Sequence, residues 1–387
     1  MPIFDRLKSI REQLGITQTE LSTRSGINRS TITQIENGKY KDLTISKLIN
    51  ISAALNVSTS YLLEADQEPA EQRILFRARE RLNPQDINQI SWVIYSLYPK
   101  YRTLLNIAHK DKAGFFLPSY DLPVESISTR NSHIVHIAEK ERNSLNIGSE
   151  QNYQLKSALG NYFDIYEIPF NSKDILGFVI LNNSQYRPLI IINNLINPNQ
   201  KRFILAHEYG HLLFDRDKIS DIIELSQDSN INDPIEIRAN HFAAEFLIPA
   251  KDIYFHSDKI NEAGLAFLMK QYGVSRQVIV NRWVSLGLID SVQKENFEAI
   301  KPIQLMKIYG YNNDEVQYYD KQPSIITPFS DFEKLPSEFL HLVKEAYVTG
   351  KISYKKIAEY CFIEYQDIEQ FLGIKEEFWD EFEPIVN

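Results

Sequence analysis

The sequence predicts a mostly helical α+β chain: a five-helix head, a helix-rich core with a small antiparallel sheet, and a helical tail. Three observations lead there. Apolar residues recur every three or four positions through the first 63 residues, broken by glycines and cap residues. Three short runs rich in aromatic and β-branched residues fall together between 162 and 192. Helical spacing then returns and continues to about residue 372.

Within the head, Phe4, Leu7, Ile10 and Leu14 mark the first helix, and Gly15 ends it. Thr17 is placed to cap the second, with Glu20 three residues on as a capping box, and Gly26 closes it. Asn28 is placed to cap the third, Arg29–Asn37, before Gly38. Thr44 caps the fourth, with Ile45, Leu48, Ile49 and Ala53 expected inward, and a short turn over Ser58–Leu63 completes the five. Residues 64–70 read as a linker, and 71–109 as two helices punctuated by Asn83-Pro84, the second carrying Ile87, Ile90, Ile94 and Leu97. An irregular stretch, 111–130, precedes an amphipathic helix over 131–147. The runs Tyr162–Ile168, Leu176–Leu181 and Leu189–Ile192, separated by Asn, Ser and Pro, suggest an antiparallel meander. Asn197-Pro198 opens a helix to Phe214 and Asp233-Pro234 another to Ile248, each with Pro in its first turn. Helices are expected at 262–272, 275–286, 336–348, 353–360 and 365–372, with a strand-like stretch around Leu305–Tyr309. The expected domains are 1–64, a helical connector 65–128, a core 129–295 and a mostly helical tail 296–387.

Composition narrows the function classes. One cysteine, Cys361, allows neither an internal disulfide nor a Cys-based zinc site, so any metal must be held by His and carboxylate. No run approaches the roughly 18 apolar residues of a membrane span, and the first 15 residues lack a signal peptide's apolar stretch. A cytoplasmic protein with no membrane contact is expected. The net charge of -9 is unevenly spread: residues 1–63 carry +3 and the remainder -12. Only the head is suited to meet phosphates.

His207 and His211 stand at i and i+4 in the helix that ends at Phe214. That spacing puts both imidazoles on one face, able to share one ion. Glu208, one residue round, can take a proton from a water at the open coordination position. A catalytic zinc takes three protein ligands and leaves one site open. The helix from 234 to 248 offers the third on either of two faces, Glu236 with Asn240 or His241 with Glu245, and periodicity does not choose between them. Gly210 lets a strand or loop approach closely. His109, His133 and His136, lone or loosely spaced, read as structural rather than metal-binding, and Cys361 reads as a buried thiol.

The stretches Arg202–Leu213, with His207-Glu208-Tyr209-Gly210-His211, and Glu236–Pro249 resemble the ImmA/IrrE metallopeptidases in order and spacing. The resemblance covers about residues 130–290. It implies a zincin-like fold, zinc or manganese as the metal, Glu236 as the ligand that joins His207 and His211, Glu208 as the catalytic base, and helix-turn-helix repressors as substrates. By the same analogy an edge strand of the sheet binds the substrate backbone. The oxyanion partner is left among a nearby Tyr, Arg238 and His241.

Residues 16–37 resemble the XRE/Cro type of helix-turn-helix. The second motif helix presents Asn28, Arg29, Ser30, Thr33 and Gln34 at its N-terminal end, while Ile27, Ile32 and Ile35 point inward. The resemblance implies that Gln18 and Asn37 meet phosphates and that Arg29, Ser30 and Gln34 meet bases. One domain of +3 binds weakly alone, so operator binding is expected to need a homodimer or a second site. Two readings of function stand side by side. One is a zinc peptidase fused to a DNA-binding domain, cutting a helix-turn-helix repressor or itself. The other is a DNA-binding regulator, or the antitoxin of a toxin–antitoxin module, in which the zincin domain senses or binds a partner.

Overall fold

The computed structural model describes residues 3–13, 16–40, 43–55, 57, 59–63, 86, 89–90, 92–108, 117–122, 132–148, 154–160, 162–170, 172, 175–180, 187–216, 234–311, 316 and 335–373. Two compact units result, Met1–Ala113 with Ile325–Asn387, and Gly114–Ser324. The expected linker at 64–70, His109 and most of 111–130 lie outside the described residues. No helix among the described residues is long and apolar enough to cross a membrane.

The head folds as five helices, α1 Ile3–Gln13, α2 Gln18–Ser25, α3 Arg29–Glu36, α4 Ile45–Leu55 and α5 Thr59–Leu63. Thr17 caps α2 by accepting the Glu20 N–H at 3.1 Å, and Gly26 ends it at φ +67°, a conformation that costs glycine little. Asn28 occupies the N-cap position of α3 without a side-chain capping bond. The buried stripe of α4 is Leu48, Ile51, Ala54 and Leu55, so the expected inward set is corrected: Ile45 is 75% exposed, Ile49 49%, and Ala53 is exposed. Both sets satisfy i,i+3/i+4 spacing, and packing of α4 against α2 and α5 selects one of them. A π turn over Val93–Leu97 leads into α6, Tyr98–Ile107, with Ile90, Ile94 and Leu97 fully buried.

The second unit starts with α7, Ser132–Ser144, and a short α8, Leu155–Leu159. Strands β1 Asp164–Ile168, β2 Gly177–Ile180 and β3 Leu189–Asn193 follow, in spatial order β1-β3-β2. The small sheet is present, but it is mixed. β2 pairs antiparallel to β3, Gly177↔Ile192 to Ile180↔Leu189, whereas β1 runs parallel to β3, Asp164↔Leu189 to Ile168↔Asn193. The meander is corrected for a physical reason. Side-chain pattern marks a strand but not its partner, and β3, buried at all five positions, takes the doubly paired centre.

Helix α9, Pro198–Phe214, is capped by Asn197, which accepts the Gln200 N–H at 2.9 Å. The sheet lies directly on it: a Cβ on Gly177 would stand 2.9 Å from Ile204 Cγ2. Helix α10, Pro234–Leu247, crosses the other side of α9. Tyr209, Phe214, Phe242 and Phe246 interlock at that crossing, with ring centroids 5.3–5.8 Å apart. Then come α11 Ala250–Phe255, α12 Glu262–Tyr272, α13 Arg276–Ser285, α14 Ser291–Ala299 and α15 Pro302–Ile308. The last corrects the strand-like reading of Leu305–Tyr309, because Pro302 sits in a first helical turn and Leu305 and Met306 turn inward. Trp283 is core, 1% exposed.

Three tail helices, α16 Ser337–Val348, α17 Tyr354–Cys361 and α18 Ile368–Leu372, complete the first unit. There α16 packs against α6, and Lys100 donates to the Glu359 carbonyl while its ammonium lies 3.7 Å from the centre of the Phe362 ring. Cys361 is buried, which pushes its thiol up to about 12.

Candidate metal centre and DNA-reading helix

Helix α9 brings His207 and His211 to one buried spot. Each is 4% exposed, and their Nε2 atoms stand 2.9 Å apart. Glu236, in the first turn of α10, reaches the same place: its Oε2 is 3.3 Å from His207 Nε2 and its Oε1 3.6 Å from His211 Nε2. One ligand atom from each of the three lies within 4.8 Å of the others. Tetrahedral zinc with bonds of about 2.0–2.1 Å needs ligand atoms about 3.3 Å apart. The two nitrogens and the carboxylate fit a divalent metal with a fourth position left over. Glu208 is wholly buried, one residue from His207.

The outer nitrogens are also placed. His207 Nδ1 is 3.0 Å from Asn240 Oδ1, and His211 Nδ1 is 3.2 Å from Asp215 Oδ2. A proton on each Nδ1 donates to those oxygens and leaves each Nε2 lone pair facing inward, the state a metal requires. Of the two faces open on α10, the one with Glu236 and Asn240 meets the histidines. The other has different work: Glu245 pairs with Arg282 and accepts the Ala250 N–H at 2.9 Å, and His241 is half-buried, its pKa lowered by burial and by Arg282.

Gly210 admits neither a strand nor a loop but the partner helix. A Cβ there would sit 3.0 Å from Phe242 Cδ1 and 3.5 Å from Ala239 Cα. That close crossing is what lets the first turns of α10 reach the histidines of α9. Asp215 escaped the sequence reading, although it stands at i+4 from His211, the same spacing that marked the histidine pair. Arg238, one candidate for the oxyanion, is fully buried and donates to Asp215 and to the Leu122 carbonyl. Tyr209 donates to Glu141 at 2.6 Å, and burial raises its pKa.

On the head, Ile27, Ile32 and Ile35 are buried as expected, and Asn28, Arg29, Ser30, Gln34 and Asn37 are exposed. Gln18 and Thr33 are half-buried and bonded to each other: the Thr33 hydroxyl donates to Gln18 Oε1 at 3.0 Å, and Gln18 Nε2 donates to Glu36 at 2.7 Å. Glu36 is itself clamped by Arg11 at 2.5 Å. The Glu36 hydrogen bond raises the Arg11 pKa. Glu20 pairs with Arg24 at 2.5 Å.

Residues 163–284 match the family described as the IrrE N-terminal-like domain, and residues 7–62 match the helix-turn-helix family. The chain carries an ImmA/IrrE-type domain behind an XRE-type helix-turn-helix. The radiation response metalloprotease IrrE of Deinococcus radiodurans is 37% identical over 91 residues. That alignment covers 22% of this chain and 28% of the relative. The IrrE-type domain thus takes in the sheet, α9, α10 and α13, and holds all three candidate ligands.

Proposed function

We propose that this protein is a zinc-dependent peptidase tethered to a DNA-binding head, and that it cuts a helix-turn-helix repressor, or a copy of itself, to alter gene expression. The observation that carries the reading is the meeting of buried His207 and His211 with Glu236, with Glu208 buried one residue along the same helix. His207, His211 and Glu236 hold the ion, zinc with manganese as a substitute. When bound, such an ion acidifies a water and polarises a peptide carbonyl. Glu208 accepts the proton of the attacking water on its carboxylate and hands it to the leaving amine. An edge of the three-stranded sheet aligns the substrate backbone. The head binds operator DNA, with Asn28, Arg29, Ser30, Thr33 and Gln34 facing the groove and Gln18 and Asn37 at phosphates.

Incubation of the full chain with candidate repressors, with and without a chelator, tests this. Cleavage that zinc restores after chelation is expected, and repressors left intact with the zinc-loaded protein count against it. The match of residues 7–62 to helix-turn-helix domains supports a second reading, a regulator or antitoxin whose zincin domain binds a partner. Operator binding that responds to a partner protein, with no cut in either, selects that reading.

A further inference from the structure

Arg238 is a cation with no exposure at all, and its partners are specific. One guanidinium nitrogen, Nη2, donates to Asp215 Oδ1, and Nη1 donates to the Leu122 carbonyl at 2.5 Å. Asp215 is 1% exposed, and its other oxygen lies against His211 Nδ1. Leu122 ends a described strap of non-helical chain, 117–122. The strap is fastened in two further places, to α9 by the Tyr120 N–H to the Leu213 carbonyl at 2.8 Å, and just past the end of α9 by Arg216 to the Leu117 carbonyl at 3.0 Å. The Tyr120 hydroxyl donates to Glu141, the same carboxylate that takes the Tyr209 hydroxyl.

A buried ion pair is a poor device for stability alone, since apolar side chains of equal volume often serve as well. It is a good device for orientation. Asp215 fixes the ring angle and tautomer of His211, and Arg238 fixes Asp215. The third end of that chain is the strap.

We propose that Asp215 and Arg238 are positioning residues for His211, and that through the Leu122 carbonyl they link metal occupancy to the order of residues 117–122. The inference rests on the reading of His207, His211 and Glu236 as metal ligands. Linkage is reciprocal: if the ion tightens the hold on the strap, a fastened strap tightens the ion by the same factor. The strap opens the second unit, which begins at Gly114, so this is the stretch through which the preceding chain enters the metal-bearing domain.

The test is zinc affinity of the full chain, by competition with a chromophoric chelator, together with hydrogen exchange at the Tyr120 amide. Asp215→Asn is expected to weaken zinc by about 10- to 100-fold. The double variant Asp215→Asn/Arg238→Met removes both charges, leaves no buried unpaired ion, and should weaken zinc no further than Asp215→Asn alone. In the wild type, zinc should slow exchange at Tyr120, and in Arg238→Met it should not. Wild-type zinc affinity in Asp215→Asn, or Tyr120 exchange that ignores zinc in the wild type, overturns the inference while leaving the metal site standing. A wild-type chain that takes up no more zinc than His211→Ala overturns both.

Discussion

Gly210 and Phe242 meet where the two helices that carry the candidate ligands cross, so closely that a Cβ on the glycine would lie 3.0 Å from Phe242 Cδ1. Phe242 has little freedom to yield, because it stacks on Phe246 and meets Tyr209 and Phe214 edge-on. Gly210→Ala gains about 1 kcal/mol of helix propensity and loses about 1–3 kcal/mol to overpacking. The expected net is a modest loss of stability. Because Glu236 and Asn240 ride on the displaced helix, a fall in zinc affinity should accompany it. Chelator competition on the variant checks this, and unchanged affinity would mean the crossing does not set the site.

Glu208→Gln keeps the volume of the side chain and removes its capacity to accept a proton. Zinc content and circular dichroism should match the wild type, while cleavage of a susceptible repressor falls by about 10²- to 10⁴-fold. A variant that cuts at the wild-type rate excludes Glu208 as the base.

Glu245 and Arg282 form a buried pair, with side chains 5% and 2% exposed, that holds the end of α10. Arg282→Met leaves a carboxylate buried without its cation and should cost about 3–5 kcal/mol. Glu245→Gln/Arg282→Met should recover much of that, since neither charge remains. Urea midpoints of the three proteins decide it, and a double variant as weak as the single one would refute the charge argument.

Lys100 supplies a pH signature far in sequence from the candidate ligands. Burial lowers its pKa from 10.5 to about 8 against the opposing pull of Glu359. Below pH 8 the ammonium is charged in both states and the folded state bears the cost of burying it. Between about 8 and 10.5 the folded chain has released the proton and the unfolded chain still holds it, so stability rises with pH. The stability of the wild type relative to Lys100→Met should climb across that window in urea titrations. A difference that stays flat with pH removes the argument.

The features legible in the sequence are those set by neighbours along the chain. His207 and His211 share a face because of helical period, and Thr17 and Asn197 open helices through local hydrogen bonds. Glu236 came from a family pattern, since its helix offered two equivalent polar faces. What periodicity could not carry was choice of partner. The runs at 162–192 marked three strands but not that β1 lies parallel to β3. Spacing on α4 allowed either Ile45 and Ile49 or Ile51 and Leu55 inward, and packing decided. Asp215 stood in view at i+4 from His211, yet its link to Arg238 and Leu122 joins segments over 90 residues apart, which the fold alone brings together.

The order of the ligands along the chain also sets a timetable. The helix-turn-helix match ends at residue 62, whereas the helix that carries Glu236 is not braced until Arg282 can clamp the end of α10. At about 5–20 residues per second, synthesis separates those two points by roughly 10–45 s. A nascent chain would therefore expose a finished helix-turn-helix well before the candidate ligands could be held together, and for that interval it would be a head without its second domain.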